Sequence, residues 1–112
     1  MVLANKGYDV FLGNNRGNYY SRKHQFLTPE NDSMLYFDYS FYKHGKFDVT
    51  AQMNKIYEIT LSIQKIAYVG HSMGTSAMFA MLADDYPMKT MVDLFIACAP
   101  IVHLEHIGDT ML

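Results

Sequence analysis

The chain has 112 residues, half of them apolar, which suffices for one small domain with a packed core and excludes an intrinsically disordered protein. Its 9 basic and 11 acidic residues give a net charge of −2 and are scattered along the chain, so we expect no nucleic-acid partner. No segment approaches the roughly 20 apolar residues of a membrane span, and the first residues lack the pattern of an export signal, so we expect a soluble chain without a transmembrane segment.

The N-terminal half contains one predicted strand and one predicted helix. Residues 8–12 form a short apolar run before Gly13 and Asn14, which indicates a buried strand followed by a polar loop. Residues 34–42 are rich in Tyr and Phe without a clear period, and we expect mixed loop and helix there. After Asp48, which can cap a helix, apolar residues recur at helical spacing and predict one buried face. These residues are Val49, Met53, Ile56, Tyr57 and Leu61.

The C-terminal half is typical of a parallel sheet. Residues 65–69 read as a short strand, residues 75–83 as a helix that ends before Pro87, and residues 91–99 as a strand buried on both faces. Cys98, the only cysteine, lies in this last strand, where we expect a buried and unreactive thiol. The alternation of strands and helices predicts an α/β fold with a parallel sheet, flanking helices and right-handed connections.

A Gly-x-Ser-x-Gly motif lies between the second predicted strand and the helix after it. It reads Gly70-His71-Ser72-Met73-Gly74. A sharp turn from strand to helix strains the serine backbone, and we expect that side chains at either glycine would collide with neighbouring backbone. The helix N-terminus then favours the negative charge of acyl transfer. We predict Ser72 as nucleophile and the Met73 amide as oxyanion donor, with His71 packing structurally; the alternative is a glycine-rich turn with an inert serine.

The sequence resembles the acid lipase family, which includes the gastric and lysosomal acid lipases, over nearly its whole length. The resemblance is carried by residues 7–18 (GYDVFLGNNRGN), 21–24 (SRKH), 36–40 (YFDYS), 46–48 (KFD) and 68–76 (YVGHSMGTS), and by Ala97, Ala99 and Pro100. Three departures stand out. Phe11 replaces the family's usual Trp, Met73 replaces Gln, and Tyr42 with Lys43 replaces an acidic pair. Because Met73 would act through its backbone amide, that exchange need not remove the oxyanion donor.

The resemblance implies a partial α/β-hydrolase fold and a lipase-like ester hydrolase of lipid degradation. Its substrates would be neutral lipid esters such as triacylglycerols or sterol esters, cleaved without metal or organic cofactor. The family's His-Gly oxyanion segment and its triad Asp and His fall outside the matched residues. We therefore expect residues 1–112 to be the central portion of a hydrolase domain, incomplete at both ends and inactive on its own. The family is commonly secreted or lysosomal, an address that this chain does not itself show.

Two rival functions stay open. Thioesterases, peptidases and acyltransferases share the same motif, and a non-catalytic relative would only bind lipid or a partner protein.

Other polar and aromatic residues have simpler interpretations. An internal triad from His103, His106 and Asp109 is disfavoured, because the acid precedes the histidine in this fold, and these histidines do not suggest a metal site. Arg16 is expected to anchor its loop by hydrogen bonds rather than bind an anion, and His24 and His44 to lie on the surface. Packing is the expected role of the aromatic cluster, although lipid contact is the alternative. The cluster consists of Tyr36, Phe37, Tyr39, Phe41 and Tyr42.

Overall fold

A computed structural model describes residues 2–61, 65–84 and 87–103 of the chain. The helices of these residues are α1 (Val2–Asn5), α2 (Ser33–Tyr36), α3 (Phe41–Lys43), α4 (Thr50–Ile59) and α5 (Met73–Ala83), and the strands are β1 (Ile66–His71) and β2 (Val92–Cys98). A π-helical segment, His44–Val49, joins α3 to α4, and a 3₁₀ turn, Pro87–Met91, precedes β2. Residues 41–59 are therefore one continuous helical rod whose winding changes in the middle.

The two strands pair in parallel, with α5 as the connection between them. The register places Val69 opposite Ile96 and His71 opposite Cys98. Parallel neighbours cannot be joined by a tight turn, so a crossover helix such as α5 is the expected link. The prediction of strand, helix and parallel strand is confirmed, and each element begins or ends within two residues of the expected position.

The core lies where α5 packs between the strands and the rod of residues 41–59. Its fully buried apolar side chains are Val49, Met53, Ala77, Met78 and Met81, and partly buried neighbours are Ile66, Tyr68, Leu82, Met91, Val92 and Phe95. The Ala and Met residues of α5 allow close approach on two sides, because small and unbranched side chains fill irregular gaps. The core therefore fixes the N-terminal end of α5 against the carboxyl end of β1.

Two predictions about strands are wrong. Residues 8–12 do not form a strand, and Tyr8 and Leu12 are 64% and 72% exposed. A strand needs backbone partners, and β1 and β2 pair with each other rather than with this segment in the described part of the chain. β2 is not buried on both faces, since Leu94 and Ile96 are exposed. Alternate residues of a strand point to opposite faces, and only the face towards α5 is covered among the described residues.

The helix predicted to start at Asp48 begins earlier. Extended backbone at Ser40 precedes α3, and the rod runs through Asp48 without a break. Asp48 caps no helix because its carboxylate accepts hydrogen bonds from Arg16. Val49 and Met53 are buried as predicted, whereas Leu61 lies beyond α4 and is exposed.

Two further side chains differ from expectation. Cys98 is exposed, because it shares the uncovered face of the strand pair with Leu94 and Ile96. His44 is buried, at 4% exposure, because the helical rod turns it towards the Tyr39 ring, with 5.1 Å between ring centroids. His24 is exposed as predicted, and its Nδ1 accepts hydrogen bonds from the amides of two residues that follow it.

Candidate active site

The turn from β1 to α5 holds Ser72 in a backbone conformation that L-residues rarely adopt. Its φ is 52° and its ψ is −122°, and Ser72 immediately precedes the first residue of α5. Such strain persists only where surrounding contacts enforce it. Here the Ser72 amide donates to the Cys98 carbonyl at 3.0 Å, and the Thr75 amide donates to the Ser72 carbonyl at 2.8 Å. The strained turn predicted from the motif is therefore present, and it presents a partly exposed serine.

The two glycines of the motif are not equivalent. A Cβ at Gly70 would lie 3.0 Å from the carbonyl carbon and oxygen of Gly74 and 3.0 Å from Cε1 of Tyr68, tighter than nearly all real Cβ contacts. A Cβ at Gly74 would meet only the Tyr68 hydroxyl, at an ordinary 3.9 Å. The expected collision is confirmed at Gly70 and wrong at Gly74, because the close approach is between Gly70 and the Gly74 backbone. A Cβ at Gly74 would point away from this contact.

Met73 and His71 flank the serine on opposite sides. Met73 is the first residue of α5, so its amide belongs to the N–H groups that have no acceptor within the helix. Its side chain is half exposed beside the turn. His71 ends β1 and is exposed, rather than packed as we expected from its place in the motif. Side chains of β1 alternate between faces, and His71 falls on the uncovered one.

The Tyr68 side chain contacts both the motif and the neighbouring strand. Its hydroxyl donates to the Gly74 carbonyl at 3.1 Å, and its ring packs edge-on against Phe95 of β2. Burial raises the pKa of the Tyr68 hydroxyl above its usual value, so the group stays a neutral donor at physiological pH. Tyr68 therefore ties the first turn of α5 to the sheet.

Thr75 and Ser76 are site residues that the motif did not reveal. Both are buried, and their hydroxyls contact backbone: Thr75 Oγ1 donates to the Ser72 carbonyl at 2.6 Å, and Ser76 Oγ donates to the Ile101 carbonyl at 2.7 Å. The Ile101 amide in turn donates to Thr75 Oγ1 at 3.0 Å. The available sequence signal was two adjacent hydroxyl residues at the start of an otherwise apolar helix.

Arg16 and Asp48 form a part-buried ion pair away from the serine. The Arg16 Nε lies 2.8 Å and its terminal nitrogen 2.7 Å from Asp48 Oδ1, and the Arg16 amide donates to Oδ2 at 3.0 Å. The Gln52 side chain joins the same loop by a 3.1 Å hydrogen bond to Asn15. The predicted structural role of Arg16 as a loop anchor is confirmed, since its guanidinium is occupied by a carboxylate of the same chain.

His44 lies next to this ion pair. Its Nε2 is 4.0 Å from Asp48 Oδ2, beyond hydrogen-bond distance, and neither ring nitrogen has a hydrogen-bond partner within the described residues. Burial is the largest cause and lowers the pKa of His44; the Asp48 carboxylate opposes that effect, the Arg16 charge adds to it, and the Arg16 backbone opposes it. His44 is therefore neutral near pH 7.

The aromatic cluster packs only in part. Tyr36 is buried and donates its hydroxyl to the Arg22 carbonyl at 2.7 Å, and its ring meets Phe37 edge-on. Phe41 and Tyr42 are instead partly exposed at an apolar cavity of about 270 Å³. Its other lining residues are Ser76, Phe79, Ala80, Ala83, Ile101 and Val102. The packing prediction thus holds for Tyr36 but not for the whole cluster, since Phe37 is itself 45% exposed.

The remaining candidates for a base or a metal ligand lie near the end of the chain. His103 is exposed, and His106 and Asp109 fall outside the described residues. Within the part that the structure describes, no three His, Cys, Asp or Glu side chains are grouped as a metal site would require. The hydrogen bonds that the structure describes for Ser72 involve its backbone amide and carbonyl. The identity of the base therefore remains a prediction.

A comparison with known protein families agrees with this geometry. The family model for the alpha/beta hydrolase fold matches residues 2–108. The chain belongs to the α/β-hydrolase family. This membership confirms the fold class predicted from the sequence, of which the described residues contain two parallel strands with helices packed on one face. Among the described helices, none is long and apolar enough to cross a membrane.

Similar curated proteins include several lipases. Human lipase member K is 37% identical over 98% of this chain and 27% of its own length. Rat gastric triacylglycerol lipase is 38% identical over 94% of the chain and 26% of its own length. Lysosomal acid lipase/cholesteryl ester hydrolase of Macaca fascicularis is 36% identical over 98% and 27%. These matches confirm the resemblance to acid lipases, and this α/β-hydrolase chain spans about a quarter of the length of such relatives.

Proposed function

We propose that the chain is part of a lipase-like serine ester hydrolase in which Ser72 is the nucleophile. The observation that carries this proposal is the backbone of Ser72, with φ at 52° at the junction of β1 and α5. An ordinary turn would relax to an unstrained conformation, whereas this one is held by hydrogen bonds at both the amide and the carbonyl of Ser72. Ser72 directly follows the last residue of β1 and so lies at the carboxyl end of the strands, where ligands bind in open α/β sheets.

The proposed reaction is acyl transfer through a covalent intermediate. The Ser72 oxygen attacks the ester carbonyl carbon while its proton passes to a histidine base, and the carbonyl oxygen becomes an oxyanion that accepts a hydrogen bond from the Met73 amide. Collapse breaks the ester C–O bond, and the alcohol leaves with the proton. Water then cleaves the acyl-Ser72 ester by the same steps. The positive end of the α5 dipole favours the negative charge in both steps.

The substrate class that we propose is the neutral lipid ester, such as a triacylglycerol or a sterol ester. The support comes from relatives whose names state these activities, triacylglycerol lipase and cholesteryl ester hydrolase. The half-exposed thioether of Met73 also offers an apolar contact beside the serine.

We further propose that the chain is the central portion of a longer hydrolase domain. The support comes from the relatives, which are nearly four times as long as their match to this chain. Reading the gene on both sides of this segment tests the proposal. A downstream Asp and His and an upstream oxyanion segment are expected, and open reading frames without them would contradict it.

Turnover by the full-length protein, meaning this chain with any flanking sequence that its gene encodes, tests the function. We expect hydrolysis of triolein and of p-nitrophenyl esters in preference to matched thioesters and amides, and loss of all ester turnover in Ser72→Ala. Ser40→Ala is the matched control, because Ser40 is exposed and its side chain caps no helix. Full ester turnover by a folded Ser72→Ala protein would refute the assignment, and a preference for thioesters or amides would change the substrate class.

A further inference from the structure

We propose that Thr75 is a positioning residue whose buried hydroxyl couples the reactivity of Ser72 to the segment that follows β2. This inference rests on the proposed role of Ser72 as nucleophile. Thr75 itself does not face the reacting atoms, because it is fully buried and its hydroxyl contacts only backbone. Its effect on the reaction would pass through the backbone of Ser72.

The Thr75 hydroxyl has both of its hydrogen-bonding roles occupied. It donates its single proton to the Ser72 carbonyl at 2.6 Å, and it accepts the Ile101 amide proton at 3.0 Å. A hydroxyl has one proton to donate, so these two contacts fix its orientation. Two backbone groups that are 29 positions apart in the chain are thereby held on one oxygen atom.

The backbone amide and the backbone carbonyl of Ser72 are both linked to residues 98–101. Its amide donates to the Cys98 carbonyl at 3.0 Å, and its carbonyl reaches the Ile101 amide through Thr75. Neighbouring Ser76 holds the Ile101 carbonyl at 2.7 Å, so both backbone groups of Ile101 are bound by α5. The strained φ of Ser72 is therefore enforced by a closed ring of hydrogen bonds rather than by one contact.

The segment after β2 needs such an anchor. Ala99 also has a positive φ, of 48°, and Pro100 has no amide proton to donate. Ile101 therefore provides the first backbone N–H after this turn, and Thr75 accepts it. Without that acceptor the Ile101 amide would lose its partner and only the Ser76 contact would attach Ile101 to α5, so the carboxyl end of β2, beside Ser72, would be less firmly held.

If Thr75 only stabilised the start of α5, its substitution would have a different effect from that expected for a positioning residue. Loss of a cap lowers stability alone, whereas a displaced nucleophile lowers kcat, and misplacement by about 1 Å can cost about a hundredfold. Substrate binding does not use the Thr75 hydroxyl, so KM should change little. The separation of kcat from KM therefore distinguishes the two roles.

The test compares variants of the full-length protein by ester hydrolysis over p-nitrophenyl ester concentrations from below KM to saturation, so that kcat and KM are measured separately. Thr75→Val removes the hydroxyl at nearly constant shape, and we expect kcat to fall about tenfold or more while KM stays within about threefold. Thr75→Ser keeps the hydroxyl and should restore kcat to within about twofold. Thr90→Val is the matched control, because the Thr90 hydroxyl also bonds a carbonyl three residues earlier, at 2.7 Å, but far from the serine in an exposed turn.

Two results would overturn the inference while leaving the nucleophile assignment intact. One is a folded Thr75→Val protein with kcat within twofold of the unchanged protein, in a preparation where Ser72→Ala is inactive. The other is a loss in Thr75→Ser as large as in Thr75→Val. If Thr75→Val does not fold, Thr75→Ser decides alone, since retained kcat supports the hydroxyl and lost kcat contradicts it. Full activity in Ser72→Ala would instead remove the proposed function, and this inference with it.

Discussion

Substitution of the two motif glycines by alanine should have opposite consequences, although the sequence pattern treats them alike. At Gly70 the new Cβ would lie 3.0 Å from two backbone atoms of Gly74, and contact becomes ordinary only beyond 3.4 Å. Several tenths of an ångström must therefore come from the backbone of the strained turn, which the hydrogen bonds of Ser72 hold in place. Overpacking of this kind costs about 1–3 kcal/mol.

At Gly74 the nearest atom to a new Cβ is the Tyr68 hydroxyl at 3.9 Å, so no displacement is needed. Alanine is also favoured over glycine in a helix by up to about 1 kcal/mol. We expect Gly74→Ala to be neutral or stabilising and Gly70→Ala to be destabilised by about 1–3 kcal/mol, a gap of up to about 4 kcal/mol.

Urea unfolding of the full-length protein at pH 7 measures this gap, provided that the slope of the transition is the same in both variants. Kinetics provide a second measurement, because a shifted turn should lower kcat in Gly70→Ala and not in Gly74→Ala. Equal midpoints for the two variants, or a lower midpoint for Gly74→Ala, would refute the reasoning from the Gly70 contact.

Three further predictions address the oxyanion donor, the buried histidine and the chain by itself. Met73→Gln should keep turnover within about tenfold, since the amide remains, and a hundredfold loss in a folded protein would implicate the thioether. Burial lowers the pKa of His44 below about 6.5, so the unfolded state takes up a proton first and stability should fall as pH drops below that value. His44→Phe should flatten this dependence in urea titrations from pH 7 to 5, and an unchanged slope would contradict it. The 112-residue chain alone should show no p-nitrophenyl ester turnover above its Ser72→Ala version. It should also show no sharp monomeric melt, because the sheet face that carries Leu94 and Ile96 is exposed. A cooperative melt together with Ser72-dependent turnover would contradict this prediction.

Local patterns were sufficient to predict β1, α5 and β2. Each is specified by a short run of residues: an apolar strand, a Gly-x-Ser-x-Gly turn and an Ala- and Met-rich helix closed before Pro87. The position of Ser72 follows from the same pattern, because the turn between a strand and a helix is a local event. The chemistry that could be inferred from the sequence is therefore the part that depends on neighbours along the chain.

Features that depend on distant residues were missed. Asp48 was expected to cap a helix and does not, because Arg16, 32 residues away, binds its carboxylate. The strand expected at residues 8–12 failed because pairing needs a partner, which no local pattern can supply. The sequence does not distinguish Thr75 from other residues in the first turn of a helix. Its contact with Ile101 forms only when β2 lies beside β1.

Chemical labelling with a fluorophosphonate probe, followed by peptide mapping by mass spectrometry, tests the central claim most directly. Such probes phosphonylate a serine hydroxyl only where the site activates it. In the full-length protein we predict one adduct, on the peptide that contains Ser72, formed in the unchanged protein and in Ser40→Ala but absent from Ser72→Ala. An adduct that persists in Ser72→Ala, or one that maps to another serine, would contradict the assignment of Ser72 as the nucleophile.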